Sequence, residues 1–271
     1  MSFFERGRPR VFAHRGGSAL GPENTLAAFE LGLRAGADGL ELDVRLSADG
    51  IPVVFHDDTL DRTTNATGPV AARTAAELAH LDAGWHFQDA RGDFVFRNQG
   101  VGVPALRDVL ARHRDVPIII EIKVDSAEMG TRVADDIRTA GVVQTVCAAG
   151  YGYASVSAVR RVLPEVATSA CHREVRLALY RSWVGWPVAR PPYGGYQVPE
   201  HAGAIRIVSP RFIRQAHAAG LEVQIWTVDQ EPEMERFLAW GADALITNRP
   251  HVAVAVRDAF TETPQPVAAR A

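Results

Sequence analysis

The chain has 271 residues, 47% of them hydrophobic, and a formal net charge of −3 at pH 7. That is ample for one large α/β core, and acids and bases so evenly mixed give no reason to expect nucleic acid as a partner. Cys147 and Cys171 are the only cysteines, which excludes a disulfide framework and a thiolate zinc knuckle. The first ten residues lack the apolar centre of a secretory leader, and no apolar run approaches the ~18–20 residues of a membrane span. A soluble, cytoplasmic protein is therefore expected, its homo-oligomeric state open.

A first strand at Val11–His14 leads into a helix whose Leu26, Phe29 and Leu33 share one face, with Asn24 placed to cap it and Gly36 just past its end. Strands at Gly39–Leu46 and Ile51–Phe55 flank Ser47-Ala48-Asp49-Gly50. Those few residues suit a hairpin and cannot span a parallel crossover. From Asp58 to about Val103 the chain is too long for an ordinary connection and too polar for a strand, so it reads as a small inserted lobe. Within it Thr74 and Glu77 have capping-box spacing. Further strands are expected at Pro117–Lys123, Thr145–Ala149, Glu165–Ser169, Ala204–Val208, Leu221–Thr227 and Asp243–Thr247. Helices alternate with them; Ser209-Pro210 and Gly220 bound one, Pro232 and Gly241 another.

The stretch 172–203, rich in Trp, Tyr, Pro and Arg, reads as a long loop over one end, and 261–271 as a flexible tail. Setting the hairpin return aside leaves a (β/α)8 pattern. The fold class expected for 1–271, as a single domain, is a TIM barrel distorted by a β-hairpin near the N-terminus and carrying the inserted lobe.

Chemistry in such a barrel sits at the C-terminal ends of the strands. His14 ends the first strand. Glu41 and Asp43, two apart, project from one face of the second, and Glu121 and Lys123 repeat the relation on Ile118-Ile119-Ile120-Glu121-Ile122-Lys123. His56 ends the hairpin return. Three carboxylates at close range require a cation, and an all-oxygen set suits Mg²⁺ or Ca²⁺ better than Zn²⁺. Arg15 offers a planar donor fork for a phosphate, with the loop Gly16–Gly21 and the first amides of the next helix as further anion donors. His14 and His56 remain to move protons near neutral pH. A metal, a phosphate clamp and two proton movers describe hydrolysis of a phosphate ester.

His14-Arg15-Gly16, Pro22-Glu23-Asn24-Thr25, Glu41-Leu42-Asp43-Val44, Val54-Phe55-His56-Asp57 and Leu60-Asp61-Arg62-Thr63-Thr64 resemble the glycerophosphodiester phosphodiesterase family. Glu121-Ile122-Lys123, Trp226-Thr227-Val228 and Ile246-Thr247-Asn248-Arg249-Pro250 continue the likeness in the same order along essentially the whole chain. The resemblance implies a TIM barrel with a lobe inserted after His56. It implies one divalent cation, Mg²⁺ or Ca²⁺, on Glu41, Asp43 and Glu121, and His14 and His56 as the acid/base pair. Arg15 would bind phosphate, Lys123 would support the phosphate or Glu121, and Trp226 would wall the pocket. The substrate implied is a small glycerophosphodiester, cleaved to glycerol 3-phosphate and an alcohol in glycerol and lipid metabolism. Departures stand at Thr145–Tyr151, at Asn248 and at Asp229, and bear on substrate choice.

Plainer readings compete at several of these positions. Glu41 and Asp43 could pair with Arg45 on the same face, and Glu121 with Lys123. Asn24 serves equally as a helix cap or a substrate contact, and Trp226 as a core aromatic. The run Leu177–Val188, with Arg176, Arg181 and Arg190 near it, reads as a loop packed over the mouth in preference to a membrane-surface patch. A lysophospholipase D using the same site is the nearest alternative activity, and a non-catalytic barrel binding metal or phosphodiester the more distant one.

Overall fold

The computed structural model describes residues 3–5, 7–186 and 191–262. Its strands are β1 (Arg10–His14), β2 (Gly39–Leu46), β3 (Pro52–Val54), β4 (Ile118–Ile122), β5 (Val146–Gly150) and β6 (Ala167–Thr168), followed by β7 (Gly195–Pro199), β8 (His201–Ala202), β9 (Ile205–Arg206), β10 (Glu222–Trp226) and β11 (Ala244–Thr247). The helices are α1 (Leu26–Arg34), α2 (Ala75–Ala79), α3 (Leu106–Arg112), α4 (Ala127–Ala140), α5 (Tyr153–Val162), α6 (His172–Val184), α7 (Pro210–Ala218), α8 (Glu231–Trp240) and α9 (Pro250–Glu262).

Parallel strands run in the order β6-β5-β4-β2-β1-β11-β10-β7. A parallel bridge from Ser169 to Gly195 joins the two ends, helped by Ala170 N–H donating to Gly195 O at 2.9 Å and Gly194 N–H to Thr168 O at 3.0 Å. The result is a nearly closed eight-stranded barrel. As expected, the Ser47–Gly50 turn is a hairpin: β3 pairs antiparallel with β2, Val44 opposite Val54 and Leu46 opposite Pro52.

The alternation of side chains across β2 and β4 separates two layers. Leu40, Leu42 and Val44, with Ile118, Ile120 and Ile122, pack outward against Leu106 and Val109 of α3 and Met129, Val133 and Ile137 of α4. Inside the barrel, Phe12, Ile119, Cys147, Ala149, Ala244 and Ile246 form a second cluster with Phe3. The carboxylates of β2 therefore point inward because their apolar neighbours are claimed by the helices. After β3, Leu60, Val70, Leu78, Ala83 and Val103 cluster with Val53 and Phe55 under the 58–103 segment. There Thr74 and Glu77 make the expected capping box. Ser209 and Pro210 open α7, and Gly241, at φ +93°, ends α8.

Several expectations are corrected. The seventh barrel strand is Gly195–Pro199, in register with β10 from Gly195–Glu222 to Pro199–Trp226. Ala204–Val208 lies outside the barrel, where β9 makes a two-stranded hairpin with β8. The sequence Gly-Tyr-Gln-Val-Pro is loop-like in composition. It is built for contacts that sequence does not display: a Cβ at Gly195 would stand 2.8 Å from the Phe4 ring, and Gln197 donates to its neighbour Gln224 on β10 at 3.0 Å. The supposed loop 172–203 begins with α6, which buries Val175, Ala178, Leu179 and Ser182 at helical spacing and ends at Gly185, φ +76°. Thr25, not Asn24, caps α1, accepting from Ala28 N–H at 3.2 Å. Such a cap is worth ~1 kcal/mol. The supposed tail from 261 is helical through Glu262; 263–271 lie outside the described residues, as does Arg190.

Candidate active site

The turn after β1 places the first functional group. Arg15, Gly16 and Gly17 all have positive φ, at 51°, 87° and 89°. A Cβ on Gly16 would meet Phe29 and Ala28 at 2.7–2.9 Å, so the turn is tight because only glycine fits there. It aims Arg15 N–H at Glu41 Oε2, 2.9 Å away.

Register then assembles the acids. His14 lies opposite Glu41, and Asp43 opposite Glu121. Glu41, Asp43 and Glu121 each bring an oxygen within 4.8 Å of the others. Lys123 Nζ bridges two of them, at 2.9 Å from Asp43 Oδ1 and 3.0 Å from Glu121 Oε1. Arg15 Nε stands 3.3 Å from Asp43 Oδ2, and its Nη1 donates to Glu23 at 2.9 Å. Burial would raise Asp43, but Lys123 and Arg15 hold it below the ordinary carboxylate range. Burial, then Asp43 and Glu121, pushes Glu41 well above that range. These carboxylates fit a hard cation: they are oxygen donors converging on one point, and burial with two neighbouring acids outweighs what the Arg15 N–H and Lys123 offer Glu41.

Asn24 is a site residue that the sequence reading undervalued. At φ +59° it leaves the helix and turns its amide onto Asp43, donating to Oδ2 at 2.8 Å and accepting Asp43 N–H at 3.1 Å. Its amide thus positions a carboxylate, and the helix cap is Thr25. The Arg45 pairing is not found either: Arg45 binds Asp58 and donates to His56 O at 2.7 Å. The Glu121–Lys123 pair does form, but as part of the cluster.

The two histidines are held by different partners. His14 Nδ1 is 2.7 Å from Asn248 Oδ1. The Asn248 amide must face this way, because its Nδ2 donates to Asp229 Oδ2 at 2.7 Å and a carboxylate only accepts. His14 therefore carries its proton on Nδ1, leaving a bare Nε2 3.9 Å from Glu41 Oε2. Burial, then Arg15, lowers the His14 pKa. Asp229 is fixed in turn by Thr247 and by the Asn248 amide N–H. The two departures from the family pattern thus serve His14. No local motif near His14 advertised them, since they lie more than 200 residues away.

His56 Nδ1 meets Asp57 Oδ1 at 2.6 Å, and Arg62 Nε meets Asp57 Oδ2 at 2.6 Å. Arg62 then grips Glu23 through both oxygens, at 2.7 and 2.8 Å. Arg62, then His56, keeps Asp57 down at about 2. An unbroken chain thus runs His56–Asp57–Arg62–Glu23–Arg15.

A cavity of about 210 Å³ opens beside the acids, lined at its polar end by His14, Glu41 and Glu121. Ala170, Val175, Val198, Ile207 and Trp226 line the remainder. Trp226, 38% exposed at the end of β10, is a wall residue and not a core aromatic. Asp43, Arg15, Lys123 and His56 stand behind or beside this lining and do not form it.

Oxygens for a hard cation, an arginine and two oriented imidazoles at the C-terminal mouth of a TIM barrel define a phosphoric ester hydrolase. Residues 14–252 match the model of the Glycerophosphoryl diester phosphodiesterase family. A glycerophosphodiester phosphodiesterase of Caldanaerobacter subterraneus is 31% identical over 251 residues, covering 90% of this chain and 96% of its own. One from Bacillus altitudinis is 30% identical, covering 92% and 98%. Among solved structures, a glycerophosphodiester phosphodiesterase from Agrobacterium tumefaciens superimposes with TM-score 0.72 at 29% identity, covering 91% and 99%. An Oleispira antarctica phosphodiesterase in complex with the product sn-glycerol-3-phosphate gives 0.71 at 25%, covering 92% and 97%. The chain belongs to the glycerophosphoryl diester phosphodiesterase family, and its enzyme class is phosphoric diester hydrolase. Among the described residues no helix is long and apolar enough to cross a membrane.

Proposed function

We propose that the protein hydrolyses glycerophosphodiesters to glycerol 3-phosphate and an alcohol, with a divalent cation on Glu41, Asp43 and Glu121. The observation that carries this reading is the convergence of those carboxylates within 4.8 Å beside the unprotonated Nε2 of His14, at the mouth of a cavity. The bound cation would supply charge neutralisation at the phosphate oxygens. Arg15, anchored by Glu23 and Asp43, adds a fixed positive charge where negative charge develops. Lys123 is engaged by Asp43 and Glu121, so its task is to hold the carboxylates together. Asn248 keeps His14 Nε2 free to take up a proton, and Asp57 keeps the His56 ring oriented for its own transfer. One imidazole takes the proton of the attacking oxygen and the other protonates the leaving alkoxide; the attacking oxygen is water, or the glycerol hydroxyl whose cyclic phosphate water then opens. Trp226 closes the pocket over the substrate.

The test is glycerol 3-phosphate release from glycerophosphocholine after EDTA treatment and again after addition of Mg²⁺ or Ca²⁺. Release that stops on chelation and returns with one ion supports both the reaction and the cation. Silence with every ion, from folded protein, sinks the reading. The apolar far wall of the cavity favours a second substrate, a lysophospholipid cleaved at the same site. It predicts turnover of lysophosphatidylcholine above that of glycerophosphocholine.

A further inference from the structure

Helix α6 presents two faces. Val175, Ala178, Leu179 and Ser182 are buried, whereas Leu177, Tyr180, Trp183 and Val184 are 52%, 51%, 53% and 69% exposed, and Trp186 just beyond the helix 71%. Spacings of three and four residues put these side chains on one outer stripe. Tyr180 and Trp183 pack edge to face on each other, centroids 5.4 Å apart. The aromatics expected to pack over the barrel mouth thus point into solvent. Single exposed apolar groups need no explanation, but a contiguous stripe marks something that covers it.

Charge on the same helix says what that is. Arg173 and Arg176 are exposed one turn before Leu177 and Tyr180. The helix's one acid, Glu174, is turned aside and held by both arms of Arg160, at 2.8 and 3.1 Å. The stripe is therefore aromatic and cationic with no free carboxylate. A second copy of the chain placed face to face on it would set arginine against arginine. A layer carrying both hydrocarbon and phosphate satisfies both halves. The stripe is also continuous with the site: His172 and Val175, in the first turns of α6, line the catalytic cavity, and His172 stacks on Tyr151 at 4.3 Å.

We propose that the outer face of α6 docks the protein onto an anionic phospholipid bilayer and so sets the cavity mouth against the membrane surface. That this delivers substrate rests on the hydrolytic reading above; the docking itself does not.

The test is co-sedimentation with vesicles of equal parts phosphatidylglycerol and phosphatidylcholine, set against phosphatidylcholine alone. Tryptophan emission is followed in parallel, with brominated lipid as quencher. Wild-type protein is expected to sediment with the anionic vesicles, its emission blue-shifted and quenched. A Trp183→Ser/Trp186→Ser variant is expected to bind at least about tenfold more weakly. Arg173→Gln/Arg176→Gln is expected to lose the preference for phosphatidylglycerol. Because these side chains are exposed, both variants should keep the wild-type melting temperature and glycerophosphocholine turnover. Wild-type protein left in the supernatant, or an aromatic variant that binds undiminished, overturns the proposal. So does a wild-type dimer in solution that the aromatic variant converts to monomer, which would make a second copy the occupant. Vesicle binding by a protein that turns over no diester would overturn the hydrolytic reading alone.

Discussion

The two sides of the barrel mouth are built on opposite principles. On the side of β1, β2 and β4, the charged groups have named partners: Arg15 with Glu23 and Asp43, Lys123 with Asp43 and Glu121, Glu41 with the Arg15 N–H, and His14 with Asn248. Facing it, β7, β10 and α6 present Val198, Trp226 and Val175, which have shape but no directional bonds. The first side can hold reacting atoms to a fraction of an ångström, because each group is over-determined by its neighbours. The second can only exclude water and admit what fits. Chemistry should therefore be intolerant of change on one side, and substrate preference adjustable on the other.

The largest effect should come from the charged side. His14→Ala is expected to lower turnover of glycerophosphocholine by about 10³-fold or more with an unchanged circular dichroism spectrum. A near-normal rate would remove His14 from the reaction. Glu121→Gln keeps the size of the side chain and subtracts one charge. It should weaken Mn²⁺ binding by roughly 10²-fold in calorimetric titration, and unchanged affinity would break the three-carboxylate assignment. Next comes a partner that touches no reacting atom. Asn248→Leu removes the acceptor for His14 Nδ1–H and should reduce kcat by roughly 10- to 100-fold, more than it alters KM. Asn248→Asp combined with Asp229→Asn, which keeps both an acceptor for His14 and a donor–acceptor pair behind it, should recover much of that loss.

Ile207→Ala, on the apolar side, is expected to change kcat/KM for glycerophosphocholine less than about tenfold and to move the ratio between short and acyl-bearing diesters more. A loss as large as that of His14→Ala would dissolve the contrast between the two sides.

The smallest effect should come from a residue on neither side. Asp136, on α4, has a partly buried carboxyl whose Oδ2 has no hydrogen-bond partner among the described residues, and burial raises its pKa from the ordinary 3.8 to about 6. A carboxyl with a raised folded pKa favours the native state when protonated. Its contribution is complete below about pH 4 and is lost as pH rises through about 6. Asp136→Asn should therefore be more stable than wild type at pH 7 by roughly 1–2 kcal/mol, after allowance for partial exposure. Urea titrations at pH 7 and pH 4 check this: the gap should close at the lower pH, and activity should not move.

Sequence alone determined what depends on short-range pattern. Near-continuous apolar strands alternating with helices announced the barrel, the Ser47–Gly50 turn announced the antiparallel return, and Glu41, Asp43 and Glu121 declared themselves as charges on otherwise apolar strands. It failed where local composition and tertiary demand disagree. Gly195–Pro199 looks like a loop because Gly195 must admit Phe4 and Gln197 must reach Gln224 inside the barrel. The aromatic and arginine content of 172–184 hid a helix whose buried positions were nonetheless at helical spacing. Only the tertiary structure decided which partner each charged group takes. Asn24 could have capped its own helix, but strand register brought Asp43 to it. Asn248 and Asp229 reach His14 only because β11 closes against β1. A side chain's type is a local property, whereas the atom its hydrogen bond meets is set by strands that close a barrel across more than 200 residues of chain.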